Sequence, residues 1–305
     1  MLIVTVGNEK GGAGKTTSVA NLAASAAGLG LRVLVVDADP QGQLSNHTLG
    51  ITAEPGKSLG EVLDLTRSDR IAARDAIVQT NVPELSLLPC ERESLDRAEG
   101  EMTRNSLEGL TVLRDALRTV DEEYDLCLID TPPRLLALTT GALVAADMAL
   151  LVMRPTTLHF AGGDAFSAKV RKVAASGMNP NLKLVGVLFN QAEPGEETAI
   201  IEALAEGESW PVLKTRIPDS KLASKANLRN EPVVISDPNR AVSRAYRAAI
   251  EEILERTMDV DASVSTASNN PLDHGNRVMA ITPDAPAQKR GQRAEQLSAK
   301  TSTAR

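Results

Sequence analysis

Few segments restrict a fold as tightly as Gly7-Asn8-Glu9-Lys10-Gly11-Gly12-Ala13-Gly14-Lys15-Thr16-Thr17, set between two runs of opposite character. Before it, Leu2 to Val6 is a short apolar run that reads as a buried strand. After it, Ser18 to Leu29 is rich in alanine and reads as a helix. Strand, glycine loop and helix in that order make a phosphate-binding turn: glycines let backbone N–H groups close around phosphate oxygens, and the helix N-terminus adds its positive end. In that frame Gly11, Gly12, Ala13, Gly14 and Thr17 supply the cradle, Lys15 reaches the terminal phosphates, and the Thr16 hydroxyl holds magnesium.

The loop departs from an ordinary Walker A, which wants a glycine five residues before Gly14 and here has Glu9. It carries instead a second lysine, Lys10, at the head of Lys-Gly-Gly-x-Gly-Lys-Thr. One lysine is enough to neutralise the phosphates bound by its own chain, so the extra one needs another target. With these residues the chain resembles the ParA/MinD group of ATPases, whose deviant Walker A carries such a signature lysine. The resemblance implies ATP and Mg2+ as cofactors and an ATP-bound homodimer in which Lys10 crosses to the partner's phosphates.

A chain of 305 residues is long enough for one large α/β domain or two small ones. Its net charge of −7 means that contact with nucleic acid needs a local basic patch, and 2% aromatic residues argue against a stacking platform for single strands. The cysteines, Cys90 and Cys127, form no C-x-x-C, so a metal framework or disulfide scaffold is not expected. The nitrogenase iron protein shares the deviant loop, but Cys127 lies in an apolar run without the glycines a cluster ligand needs. Met1-Leu2 leads straight into the first strand, leaving no room for a signal peptide, and the longest apolar stretch, Gly141 to Met153, is short and broken by Asp147. A soluble, cytoplasmic protein is expected.

Further along, Arg32 to Asp37 reads as a buried strand ending in Asp37-Ala38-Asp39-Pro40-Gln41-Gly42-Gln43. Carboxylates at the C-terminal edge of a parallel strand lie where ligands bind in such sheets. Asp-x-Asp-Pro-Gln-Gly resembles the switch segment of ParA partition proteins, which makes Asp39 the residue that positions the attacking water and Asp37 one near the magnesium shell. Tyr124 to Asp130 is another buried strand, and Asp130, followed by Thr-Pro-Pro, stands as the Walker B carboxylate for magnesium. Strands at 85–89, 148–153 and 182–190 alternate with helices at 162–176 and 196–206, the pattern of a doubly wound, mostly parallel sheet in an α/β P-loop fold. Leu107, Leu110, Leu113 and Leu117 fall at helical spacing and are expected to pack one helix, 103–120, on the sheet. Trp210 is expected at an exposed edge. The resemblance extends to Asn190-Gln191 and Ile217-Pro218, which match segments lining the adenine pocket, Asn190 as a base contact beside Pro218.

Basic charge collects in the last third. Asp219 is placed to cap a helix with Lys221, Lys225 and Arg229 four residues apart. A second helix is expected to open at Asp237-Pro238, with Val242, Tyr246, Ala249, Ile250 and Ile253 on its apolar side and Arg240, Arg244 and Arg247 opposite. The family binds non-specific double-stranded DNA through this region, so these cations are the expected phosphate contacts. A folded domain over 1–257 and a disordered polar tail over 258–305 are expected. The end lacks the greasy basic helix of MinD, so membrane attachment is not.

The expectation is a ParA-like partition ATPase, nucleoid-associated, whose hydrolysis is triggered by a ParB-like centromere-binding partner. Two alternatives remain open: a positioning ATPase for other cargo or the division site, as in MipZ, and a metabolic ATPase on the same scaffold, such as an amidoligase.

Overall fold

A computed structural model describes residues 1–67 and 70–267. In chain order the elements are β1 (Leu2–Gly7), α1 (Lys15–Gly28), β2 (Val33–Asp37), a π-helical turn (Gln43–Thr48), α2 (Leu59–Val62), α3 (Ala73–Ala76), β3 (Val78–Gln79) and β4 (Leu85–Leu88). Then come α4 (Arg92–Arg104), α5 (Ser106–Arg118), β5 (Leu126–Asp130), α6 (Ala137–Ala145), β6 (Met148–Met153), α7 (Thr157–Ala175) and β7 (Lys183–Phe189). The chain continues through α8 (Glu196–Gly207), α9 (Lys221–Asn227), α10 (Val233–Ser236) and α11 (Ala241–Ala267).

The strands form a seven-stranded sheet in the order β3-β4-β2-β5-β1-β6-β7. Only β3 runs antiparallel, so the sheet is mostly parallel and doubly wound, as the alternation of strands and helices predicts. Period-two alternation divides the strand residues between two cores. Val33, Val35, Leu126 and Leu128 face the core made with α1 and α11. Leu34, Val36, Cys127 and Ile129 face the opposite core, with α4 to α7. The same parity turns Asp37 and Asp130, the last residues of their strands, toward the α1 side. They are also register partners across β2 and β5. The chain leaves β1 through α1 on one face and β5 through α6 on the other, so a crevice opens at the carboxyl ends of these neighbouring strands.

Several expectations need correction. The helix expected over 103–120 is two helices, broken at Asn105 (φ −103°, ψ 63°). Leu113 and Leu117 are buried, but Leu107, in the first turn after the break, is 72% exposed and not core. Trp210 is not at an exposed edge: it is 5% exposed and stacks on Phe160 with ring centroids 5.0 Å apart. The cap of α9 is Ser220, whose side chain accepts from Leu222 N–H, not Asp219. That helix ends at Asn227, which leaves Arg229 in the following turn. The last helix opens at Ala241, because Asp237 to Arg240 form a separate turn closed by Arg240 N–H on the Asp237 carbonyl. Its apolar stripe, Val242, Tyr246, Ala249, Ile250 and Ile253, is buried as expected. It runs on to Ala267, past the expected boundary at 257, and residues 268–305 of the polar tail lie outside the described residues.

Candidate functional site

The loop after β1 turns through Gly12 (φ 77°) and Gly14 (φ 89°), both left-handed and open to glycine at little cost. Gly14 is the N-cap of α1 and brings no side-chain cap, so the first-turn N–H groups of Lys15, Thr16 and Thr17 remain for an external acceptor. Beneath the loop, Asn190 at the end of β7 donates its Nδ2 to the Ala13 carbonyl at 3.1 Å. A Cβ on Gly14 would lie 1.7 Å from that nitrogen, so only glycine fits. Asn190 Oδ1 also accepts from Gln191 N–H at 3.0 Å, and its backbone bridge to Ile217 sets the half-buried Pro218 beside it. The structure brings Asn190 and Pro218 together next to the phosphate loop.

Lys15 opens α1 and is buried, and that burial pulls its pKa below the usual lysine value, while Asp130 and Asp39 push it back up. Asp37 is fully buried; its Oδ2 accepts from Ser45 N–H at 2.8 Å and Ser45 Oγ–H at 2.6 Å. Burial raises its pKa to about 6 in spite of these bonds. Asp39 forms a local turn, its Oδ1 accepting from Gln41 N–H at 3.0 Å. Asp130 is fully buried with no hydrogen-bond partner for either carboxylate oxygen among the described residues. Burial first, then the charge of Asp37, raises its pKa to about 8, opposed by Lys15 and the neighbouring Thr16 hydroxyl.

An orphaned carboxylate beside a second one is costly unless a cation joins them. Magnesium is typically held by one or two carboxylates together with substrate phosphates, rather than by an all-protein cage. The site fits that pattern: Asp130 lies beside the Thr16 hydroxyl at the start of α1, with Asp37 as its register partner. Lys10 is half-buried on the loop's other limb.

The expected basic residues lie elsewhere. Lys221, Lys225, Arg229, Arg240 and Arg244 are exposed, and Arg247 is half-buried with Nη2 on the Val234 carbonyl at 3.3 Å. α10 brings α9 and α11 together, and α9 also touches the π-helical turn that follows Asp39. Sequence reasoning missed Ser45, which orients Asp37 from that turn, and Asn8 and His159 behind the loop. For Ser45 only its place after the acidic switch segment offered a signal.

Fold and site together define a P-loop nucleoside-triphosphatase of the deviant Walker A type. The profile of a family described as an AAA domain matches residues 1–184. The chain is 33% identical over 262 residues to the chromosome-partitioning ATPase Soj of Thermus thermophilus, covering 84% of this chain and 96% of that one. It is 30% identical to the chromosome partitioning protein ParA of Myxococcus xanthus, covering 83% and 88%. Among solved structures, cobyrinic acid a,c-diamide synthase of Mycobacterium smegmatis with bound ADP and magnesium superposes with a TM-score of 0.68 at 29% identity, over 82% of this chain and 93% of that one. The chain belongs to the ParA/MinD family of P-loop ATPases.

Proposed function

We propose that this ATPase is a partition motor: ATP closes a homodimer, the dimer holds non-specific double-stranded DNA, and a ParB-like partner bound to cargo triggers hydrolysis and release. The observation that carries the reading is the cluster of exposed cations from α9 to α11, none of them ion-paired among the described residues, on a segment whose first helix, α9, touches the switch turn. Charges so placed read phosphate rather than base edges, and binding of this kind is independent of sequence and sensitive to salt. A cytoplasmic, nucleoid-associated protein follows from it. Among the described residues no helix is long and apolar enough to cross a membrane.

Residue roles follow from charge and position. Lys15 from its own chain and Lys10 from the partner offset charge on the γ-phosphate, and Asp39 orients the water. Thr16 and Asp130 hold magnesium, with Asp37 at its outer shell; when bound, the ion neutralises charge developing on the phosphates. Asn190 tethers the cradle and Pro218 walls the base pocket.

The test is duplex binding on random sequence with ATP, ADP or no nucleotide, over a salt series. Binding that needs ATP and falls steeply with salt supports the reading; equal binding in all states, or none, sinks it. The likeness to a diamide synthase keeps a second reading, an ATP-dependent amide-forming enzyme. In that case turnover would respond to a small carboxylic acid and ignore DNA.

A further inference from the structure

The two loop lysines are supported in different ways. Lys15 is fixed by being the first residue of α1. Lys10 sits ahead of the glycines, where a flexible turn would scatter it, yet its backbone is held from behind. Asn8, 1% exposed, accepts Lys10 N–H on its Oδ1 at 2.9 Å. The Nδ2 of the same side chain donates to the Val152 carbonyl on β6 at 3.0 Å and the His159 carbonyl on α7 at 3.3 Å. Glu9 N–H reaches the Gly162 carbonyl at 3.3 Å. The turn carrying Lys10 is therefore bolted to the first turns of α7, not to the phosphate cradle.

Adjacent glycines inside a helix are unfavourable, and α7 carries Gly162 and Gly163. They serve different neighbours. A Cβ on Gly163 would meet Leu151 Cδ2 at 3.0 Å and Met153 Sδ at 3.4 Å, which is core packing against β6. A Cβ on Gly162 would fall 2.4 Å from Asn8 Oδ1, 2.6 Å from Lys10 Cγ and 3.0 Å from Lys10 N. Gly162 is small so that the Lys10 turn can lie on the helix. His159 completes the support: it is 7% exposed, its Nδ1 is 2.8 Å from Thr156 Oγ1, and the Gly11 backbone borders its ring.

We propose that Asn8 and Gly162, backed by His159 beneath Gly11, are positioning residues that set where Lys10 sits, on the limb of the loop ahead of the glycines that take nucleotide. The inference rests on Lys10 acting on phosphate, and the experiment separates the two. Nucleotide affinity and kcat are measured for Gly162→Ala, Lys10→Ala and the double variant, with Gly163→Ala as a packing control and melting curves for each. Expected for Gly162→Ala is nucleotide affinity within about twofold of the parent and kcat lower by about tenfold, the cost of a misplaced group. In the Lys10→Ala background the same change should lower kcat no further, because residues acting through one another are not additive. Normal turnover of Lys10→Ala removes the role of the lysine and the clamp with it. If Lys10→Ala is slow but Gly162→Ala is not, or if Gly162→Ala costs as much in both backgrounds, or if affinity and kcat fall together, the clamp alone is wrong. Should Gly162→Ala fail to fold, Asn8→Ala carries the same cycle by removing the acceptor for Lys10 N–H.

Discussion

The carboxyl edge of β1, β2 and β5 and the outer face of α9 to α11 both concentrate charge, in opposite media. At the sheet edge Lys15, Asp37 and Asp130 are buried, and the carboxylates outnumber what the chain itself neutralises. On α9, α11 and the turn before α11, Lys221, Lys225, Arg240 and Arg244 stand in water. In a low-dielectric pocket one charge interacts strongly with its neighbours, so removing it changes chemistry and stability together. In water each charge is screened beyond about 8–10 Å, and its contribution is small and repeated. One region should therefore fail at single positions, and the other should weaken by degrees.

The largest effect tests the buried side of that contrast. Lys15→Ala removes the cation proposed to meet the terminal phosphates, and ATP turnover should fall by about 10²-fold or more. Nucleotide affinity, followed by fluorescence or calorimetry, should fall with it. Turnover within a few-fold of the parent would mean that the pocket does not concentrate its energy as argued. Asp39→Ala should come next, with turnover reduced by roughly 10- to 100-fold while ATP binding and dimer formation persist, since a group that orients water is needed only for chemistry. Unchanged turnover would sink that assignment.

Asp130→Asn should be smaller and of opposite sign for stability. The folded-state pKa of Asp130 is raised to about 8, so the fold binds a proton that the unfolded chain gives up near pH 4. Its contribution is then most favourable below about pH 4 and is lost as pH rises toward 8. Asp37, raised to about 6, acts in the same direction over the lower part of that window. Metal-free, nucleotide-free protein should melt lower at pH 8 than at pH 5. Asp130→Asn should raise stability at pH 8 by roughly 1–3 kcal/mol and flatten the drop above pH 6, while weakening magnesium-dependent nucleotide binding. A variant with the parent's full pH dependence would remove the uncompensated carboxylate from the explanation.

The same contrast explains what could be read from the chain. The phosphate loop and Asp130 were legible because their chemistry is local: glycines and lysines at fixed spacing, and an aspartate closing an apolar strand. Strand parity even places Asp37 and Asp130 on one side of the sheet. What the sequence hid depends on residues far away in the chain. Trp210 is buried because Phe160 comes to meet it, and Asp37 is held by a serine of a π-helical turn that has no simple periodic signature. The break at Asn105 lacks glycine or proline, and α7 starts at Thr157 because Thr156 caps it, five residues before the start that apolar spacing indicated. The bond from Asn190 to the Ala13 carbonyl, between residues 177 positions apart, likewise has no local signal.

The smallest effects belong to the basic face, where they should rank by exposure. Each phosphate contact contributes a slope of about −0.9 to the logarithmic dependence of duplex affinity on salt. Arg240→Ala and Arg244→Ala should each flatten that slope by about one and weaken binding equally on unrelated sequences. Arg247→Ala should do less, because its guanidinium is half-buried where that of Arg244 is exposed, although each donates to a backbone carbonyl, of Val234 and Asn239 respectively. DNA-free ATP turnover should be unchanged in all three, since none lies at the phosphate loop. A loss at Arg247 as large as that at Arg240 would show that the arginine leaves its carbonyl to reach phosphate, and exposure in the free protein would no longer rank the surface. No change at any of them would move the DNA contact to Lys221, Lys225 and Arg229. Those residues lie on α9 and the turn after it, nearer the switch segment, where binding would be tied more tightly to the nucleotide.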